Sequence, residues 1–440
     1  MNVLIQIAQF LLSLSILVFL HELGHFAFAK LFRTRVEKFY IFFNPWFSLF
    51  KKKVGDTEYG IGWLPLGGYV KISGMIDESM DKEQLKKPPQ PWEFRSKPPH
   101  QRLLIMIGGV LVNFLLALVI YATTLYVWGE QYLPTKNVKY GIMCDSVALD
   151  IGLRNGDKII SVDHKKIENF NKIFHDLVVD NARSIQVERD GKEVDIPIGE
   201  EYLAPLLKSE VFITTRIPFI VDDFSKESPA HAAGIRVNDK VVALNGMKIN
   251  FFDEFRTKMA DLKGQEVAVG VLRNGDSLTY TFKATEDGKI GVWPVGDLSR
   301  FFELQNVDYT FFQAIPAGIT KGFGNAISYL KQLKLIFTPK TKAYESLGGF
   351  IKIGSFFPKV WDWQVFWEMT ALLSIILAIM NLLPIPALDG GHVMFLLYEI
   401  VSGRKPGDKF MEYAQIAGML LLLALLLYAN GNDVVQLFRK

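Results

Sequence analysis

The chain has a single cysteine, Cys144, in 440 residues. That count excludes an internal disulfide and removes Cys-rich zinc ligation, leaving imidazole and carboxylate as the metal ligands on offer. An excess of one charge sign is also slight. The net charge is +3, and no basic stripe is interleaved with aromatics, so nothing supports nucleic-acid binding. No Lys or Arg precedes the first apolar run, which is unlike a cleavable signal peptide, and the run is far longer than a typical signal core. What the chain has in quantity is hydrophobic residues, half of the total, with a positive mean hydropathy. A chain this long and this apolar is expected to be a membrane protein of two or three domains.

Four runs are long enough to cross a bilayer: about Val3 to Phe32, Leu103 to Trp128, Phe366 to Leu388 and Ala414 to Tyr428. The short loops after the first and third carry Arg33, Arg35, Lys38 and Lys51 to Lys53, then Arg404, Lys405 and Lys409. The excess of basic residues places those loops in the cytosol, and the N-terminus, the long middle segment and Arg439-Lys440 outside.

Within the first run stands His21-Glu22-Leu23-Gly24-His25, an HExxH pattern. On a helix, residues four apart share a face, so two imidazoles can grip one zinc ion while the intervening Glu reaches a water held by that ion. Ionisable groups at membrane depth cost about 2.5–3.5 kcal/mol each near the centre, which favours a functional reason for keeping them. A catalytic zinc needs a third protein ligand and one open position. The most conspicuous candidate is Asp389, in Asn381-Leu-Leu-Pro384-Ile-Pro386-Ala-Leu-Asp389-Gly390-Gly391-His392 at the end of the third run. Two prolines there exclude a regular helix and let Asp389 turn inward. His392 and the more distant Glu368 are rival ligands.

The middle segment repeats itself. Asp145 to Ile160 matches Glu227 to Val242 at a constant offset, and Val187 to Gly191 recurs as Val271 to Gly275. Each copy mixes short β-branched strands with a helix near Phe170 to Val178 or Phe252 to Met259, a pattern that resembles PDZ domains. Between the first two apolar runs, Tyr59 to Ile72 alternates aromatic and β-branched residues around a Pro/Gly turn and predicts a hairpin or meander beside the membrane. Asp77 to Lys97 is charged and Pro-rich, as expected of a solvated linker. Phe311, Phe312, Ile315, Ile319 and Phe323 fall at helical spacing and predict an amphipathic helix that lies on the outer surface or packs on the bundle.

HExxH in the first helix together with NxxPxPxLDG near a late one resembles the site-2 protease family of intramembrane zinc metalloproteases, in particular the bacterial regulator-of-sigma-E type with tandem PDZ domains. The resemblance covers nearly the whole chain, including Trp63 to Lys71, which is similar to the family's membrane-associated β segment. It implies zinc held by His21, His25 and Asp389, with Glu22 as catalytic base. It further implies substrate contacts at Asn381, Asn113, Pro384, Pro386 and Tyr69. Asn113 is similar to the residue closing a GPxxN motif, although Val110 stands where that motif has Pro, and Asn44-Pro45 stands where relatives often have Gly-Pro.

The fold expected is a polytopic α-helical membrane protein of about four transmembrane helices, with a membrane-associated β segment and two extracytoplasmic PDZ-like α+β domains. In residues this reads as a first transmembrane helix over 1–32, the β segment and linker over 33–101, a second helix over 102–128 and PDZ-like domains over 129–210 and 211–298. Amphipathic helices and a linker follow over 299–364, a third transmembrane helix over 365–397, a cytosolic loop over 398–410 and a fourth helix with the C-terminus over 411–440. The resemblance implies hydrolysis within single-span segments of membrane proteins already trimmed by an upstream site-1-type protease, anti-sigma factors or signal-peptide remnants among them. It also implies a bacterial inner-membrane location with the N-terminus and PDZ-like domains outside. The partners expected are those substrates and the bilayer. A non-catalytic PDZ scaffold and a metal transporter are the alternative readings, the latter weakened by the scarcity of polar residues along the spans.

Overall fold

The computed structural model describes residues 2–65, 67–75, 88–209 and 211–439. The chain forms two compact units, one of Met1–Gly129, Asp308–Phe337 and Tyr344–Lys440, the other of Glu130–Val307 and Thr338–Ala343.

The first unit is helical. Helix α1 (Asn2–Leu31) runs unbroken because its sequence contains no Pro and is apolar on every side. Helix α2 (Pro99–Trp128) starts on a Pro, whose missing N–H costs nothing at a helix start, and stops at Gly129 with φ +69°. Helix α3 (Phe311–Ile336) opens with a reciprocal Thr310/Gln313 capping box. Helix α4 (Trp363–Leu382) is capped by Asp362, which accepts the Val365 N–H. Helices α5 (Asp389–Ser402) and α6 (Asp408–Arg439) belong to the same unit, as do a short helix at Phe350–Ser355 and a four-stranded sheet. Helices α1, α2, α4 and α6 are long and apolar enough to cross a membrane.

The structure corrects the third expected span. Residues 365–397 form two helices, because Pro384 and Pro386 lack the N–H groups that would carry α4 onward, and α5 restarts at Asp389. The fourth helix extends well beyond Ala414 to Tyr428 at both ends.

In lipid there is little hydrophobic gain in bringing helices together, so close packing and buried hydrogen bonds carry the association. Gly24 of α1 lies against the backbone of Gly108 and Gly109 in α2, where a Cβ would overlap the Gly108 carbonyl. Ser13 and Thr370 join α1 to α4 at 2.9 Å, and the Ser374 hydroxyl donates to the Asn113 carbonyl of α2 at 2.7 Å. A buried Arg102–Glu399 pair at 2.6 Å anchors α5 to the start of α2. Gly24→Ala is therefore expected to lower stability by about 1–3 kcal/mol, the cost of overpacking a tight contact. Thermal unfolding in detergent measures this, and an unchanged midpoint would mean that the two helices yield freely at this point.

Four strands pack beside α1: β1 (Val36–Ile41), β2 (Phe50–Val54), β3 (Thr57–Ile61) and β4 (Tyr69–Ile72), in the order β2-β3-β1-β4. The hairpin or meander predicted over Tyr59 to Ile72 is not formed, because its two strands are not neighbours in the sheet. Strand β1 lies between β3 and β4, parallel to the first and antiparallel to the second. Strand β3 ends at Ile61 and β4 begins at Tyr69, too far apart in sequence for a tight turn, and β1 takes the place between them. Phe39 of β1 stacks edge-on against Phe19 and Phe26 of α1, which fixes the sheet at that depth along the helix. The predicted linker also differs. Residues 76–87 lie outside the described ones, but Phe94 is buried and its N–H bonds the Ser73 carbonyl, while Trp92 accepts from Arg35. The apolar side chain of Phe94 outweighs the charged composition around it.

Helix α3 packs with its small residues. Ala314, Gly318, Gly322 and Ala326 are buried, with Gly318 and Gly322 against Ala122 and Leu118 of α2, whereas Phe311, Phe312, Ile315, Ile319 and Phe323 are exposed. The stripe that marks the helix in sequence stays largely exposed, although its Phe311 and Phe323 rings meet Tyr126 and Phe114 of α2 edge-on.

In the second unit, Lys158–Val162, Ser184–Arg189 and Lys192–Pro197 form one antiparallel sheet, and Met247–Lys248, Lys240–Leu244, Glu266–Arg273 and Asp276–Lys283 form another. Matching positions make matching bonds. Gly152 and Gly234 take φ of +108° and +106°. Buried Asp157 pairs with Arg189 at 2.7 Å and buried Asp239 with Arg273 at 2.6 Å, and each Arg also donates to the carbonyl of its left-handed Gly. Cys144 is buried, and burial, reinforced by nearby Asp157, pushes its thiol up to about 12, the state of an inert side chain.

Candidate metal centre

His21 and His25 sit one turn apart on α1, 7% exposed each, with their rings edge-on at 4.8 Å between centroids. Close approach of α2 is what orients them. Gly109 has no Cβ where one would strike both rings, and His25 Nδ1 consequently reaches the Ile105 carbonyl at 2.8 Å. A carbonyl oxygen only accepts, so Nδ1 carries the proton and the Nε2 lone pair is left free for a metal.

Asp389 arrives from the other side. After α4 ends, residues 383–388 turn sharply, with Ala387 held at φ +77°, a left-handed conformation that costs a non-Gly residue about 1–2 kcal/mol. Gly390 and Gly391 lie so close to the carbonyls of this turn that any side chain would overlap them, and α6 presses Gly418 onto the Pro386 carbonyl. The strained turn and the two glycines place Asp389 at the first position of α5, facing the histidines.

The three ligand atoms form a nearly equilateral triangle. His21 Nε2 and His25 Nε2 are 3.2 Å apart, and Asp389 Oδ2 lies 3.1 and 3.3 Å from them. A tetrahedral ion with bonds of about 2.0–2.1 Å has ligand edges of about 3.3–3.4 Å. Asp389 Oδ2 is buried without a hydrogen bond of acceptable geometry despite both nitrogens beside it. Lone pairs crowded at this spacing repel one another, and a cation relieves them, so the donor set fits zinc. Among the described residues these three are the His/Cys/Asp/Glu group able to hold an ion.

The triangle opens on a cavity of about 420 Å³, lined by Glu22, by strand β4 from Tyr69 to Ile72, and by Ala387 to Asp389 and His392. The Glu22 carboxylate faces the Val70 backbone N–H. Strand β4 is the edge of its sheet, so one row of its backbone groups has no strand partner. Tyr69 stacks between Tyr40 and Phe43 and donates to Asn44 Oδ1 at 3.0 Å. Asn381 Nδ2 stands 3.3 Å from His21 Nε2.

The sequence profile of peptidase family M50 matches residues 9–425. The chain belongs to peptidase family M50. Similar proteins include one of Rickettsia conorii designated a zinc metalloprotease, 28% identical over 440 residues covering 99% of this chain and all of the relative. A regulator of sigma E protease of Haemophilus influenzae is 27% identical over 459 residues, again 99% of this chain and all of the relative. A further relative, from Campylobacter jejuni and also designated a zinc metalloprotease, is 28% identical over 436 residues, 98% of this chain and 94% of its own length.

In this M50 peptidase the expected ligands and Glu22 come together, and the rivals separate. Glu368 pairs with Lys321 at 3.6 Å, away from the triangle, and His392 lies on the cavity wall outside the ligand group. Of the expected substrate contacts, Tyr69 lines the cavity and Asn381 borders the metal position. Asn113 does not line it. It is fully buried behind His21, 3.3 Å from Nδ1. Pro384 and Pro386 also stay off the wall and act by breaking the helix. Sequence reasoning passed over Gly108-Gly109 and Gly24, although a Gly pair in an apolar helix is a readable sign of close packing, and over buried Gln415 on the cavity wall.

Proposed function

We propose that this zinc-dependent metalloprotease cuts peptide bonds inside single transmembrane segments, with His21, His25 and Asp389 as its zinc ligands and Glu22 as its base. One observation carries the reading: the three ligand atoms and Glu22 share a cavity walled by membrane-length helices on one side and an edge strand on the other.

Zinc held by the triangle would supply a Lewis acid that lowers the pKa of a water toward about 7 and polarises the scissile carbonyl. Glu22 takes the proton of the attacking water and returns it to the leaving amine. The Asn381 amide donates to the oxyanion as it forms. A helical substrate hides its carbonyls in its own hydrogen bonds, and it must unwind before attack. The unpaired edge of β4 offers replacement partners by adding the substrate as a further strand, which holds it extended beside Glu22.

The basic loops support an orientation with the N-terminus and the second unit outside the cytoplasmic membrane of a bacterium. The repeated sheets of that unit support a pair of PDZ-like filters that admit segments already trimmed by another protease, such as anti-sigma factors or signal-peptide remnants. Purified protein incubated with a trimmed and an untrimmed single-span substrate tests these points together. Cleavage is expected within the apolar segment of the trimmed form, abolished by a chelator and restored by zinc. A cut outside that segment, or one that a chelator leaves intact, overturns the reading.

A further inference from the structure

We propose that Asn113 is a positioning residue of the metal site: its side-chain oxygen accepts the Nδ1 proton of His21 and so keeps the His21 Nε2 lone pair aimed at the ion. This rests on the zinc ligation proposed above and assigns a role to a residue that lies off the substrate cavity.

The two histidines are held unequally. His25 Nδ1 has a backbone carbonyl at 2.8 Å, an acceptor that leaves only one tautomer. His21 Nδ1 has the Asn113 side-chain amide at 3.3 Å. With the amide nitrogen turned toward His21, Nδ1 accepts, and its proton moves to Nε2. It then occupies the space shared with His25 Nε2 and Asp389 Oδ2, both about 3 Å away. The same orientation leaves Asn113 Oδ1 buried with no partner, in a residue that is 0% exposed.

The oxygen and nitrogen of an amide are told apart by their hydrogen-bond network. Turning the Asn113 amide by a half-rotation gives Oδ1 a donor and clears the proton from Nε2, with the amide nitrogen taking the position Oδ1 held. Oδ1 then accepts from His21 Nδ1–H, and Nε2 presents a lone pair alongside the other two ligand atoms. Asn113 is well fixed for this task. It stands one turn beyond Gly109, where α2 comes closest to the rings, and its own carbonyl accepts from Ser374 of α4 at 2.7 Å. Hydrogen-bond partners of this kind set the tautomer and ring plane of a metal-bound histidine, and their loss weakens metal binding by about 10–100-fold.

The test is zinc affinity by chelator competition on the full-length protein in detergent, for wild type, Asn113→Leu and Asn113→Asp. Leu fills the space without an acceptor and is expected to weaken zinc by about 10–100-fold. Asp accepts but cannot donate, and is expected to bind zinc within a few-fold of wild type. Equal weakening in both variants, with wild type binding tightly, overturns the role, because it means the amide donates or merely fills space. An unchanged affinity in the Leu variant overturns it too. Should the Leu variant not fold, weakened zinc in the Asp variant alone is decisive against the role. Wild-type protein that binds no zinc overturns the ligation itself, a separate outcome.

Discussion

Glu22→Gln is expected to retain zinc in full and to cut about 10²–10⁴-fold more slowly than wild type, the usual contribution of a positioned general base. The physical case is narrow. Gln has nearly the shape of Glu and keeps a hydrogen-bonding oxygen toward the Val70 N–H, but it cannot take a proton from water. Glu22 is absent from the ligand triangle and shares its cavity, so removing its charge leaves the three ligand atoms in place. Zinc stoichiometry by elemental analysis and cleavage of a single-span substrate are both needed on the same preparation. Unimpaired proteolysis would strip Glu22 of its assignment, as the non-catalytic scaffold reading requires. Loss of zinc alongside activity would show that Glu22 holds the centre together rather than working at it.

The second large effect concerns Asp389. Asp389→Ala removes one of the three proposed ligands, and the fall in zinc affinity should exceed the roughly 10–100-fold seen when only a supporting residue is lost. Purified protein is then expected to carry well under one zinc per chain and to show no cleavage. The substitution also ends the crowding of three lone pairs, so the metal-free protein should be no less stable than metal-free wild type, which calorimetry in the presence of a chelator measures. Undiminished zinc content would transfer the ligand role to His392, one turn further along α5 and on the wall of the same cavity.

Much of the site could be read directly from residue order. His21, Glu22 and His25 are fixed in mutual position by the helix that carries them, since a rise of about 1.5 Å per residue and 3.6 residues per turn leave no freedom. The apolar runs gave the membrane helices for a similar reason: without water in the bilayer, a long apolar stretch has to satisfy its backbone internally. Where short-range pattern failed, a distant partner had intervened. Tyr59 to Ile72 alternates like a hairpin, yet β1 claims the position between its two strands. The aromatic stripe of α3 marks the helix in sequence, yet its small residues make the closest approach to α2, with Phe311 and Phe323 beside them against Tyr126 and Phe114. Phe94 sits in a charged, Pro-rich stretch whose composition hides its burial.

What the amino-acid order alone determined is the chemistry available: two imidazoles and a carboxylate on one helical turn, an acidic residue released by paired prolines, and apolar runs long enough to cross a bilayer. Tertiary structure alone decided which groups meet. Asp389 and His21 lie 3.1 Å apart although 368 residues separate them in the chain. The tautomer of His25 depends on a carbonyl of α2, and Glu22 faces β4, an edge strand because β1 pairs with it on one side only. Such contacts leave no local periodicity, because they depend on how closely backbones approach, and glycines at the helix crossing set that distance.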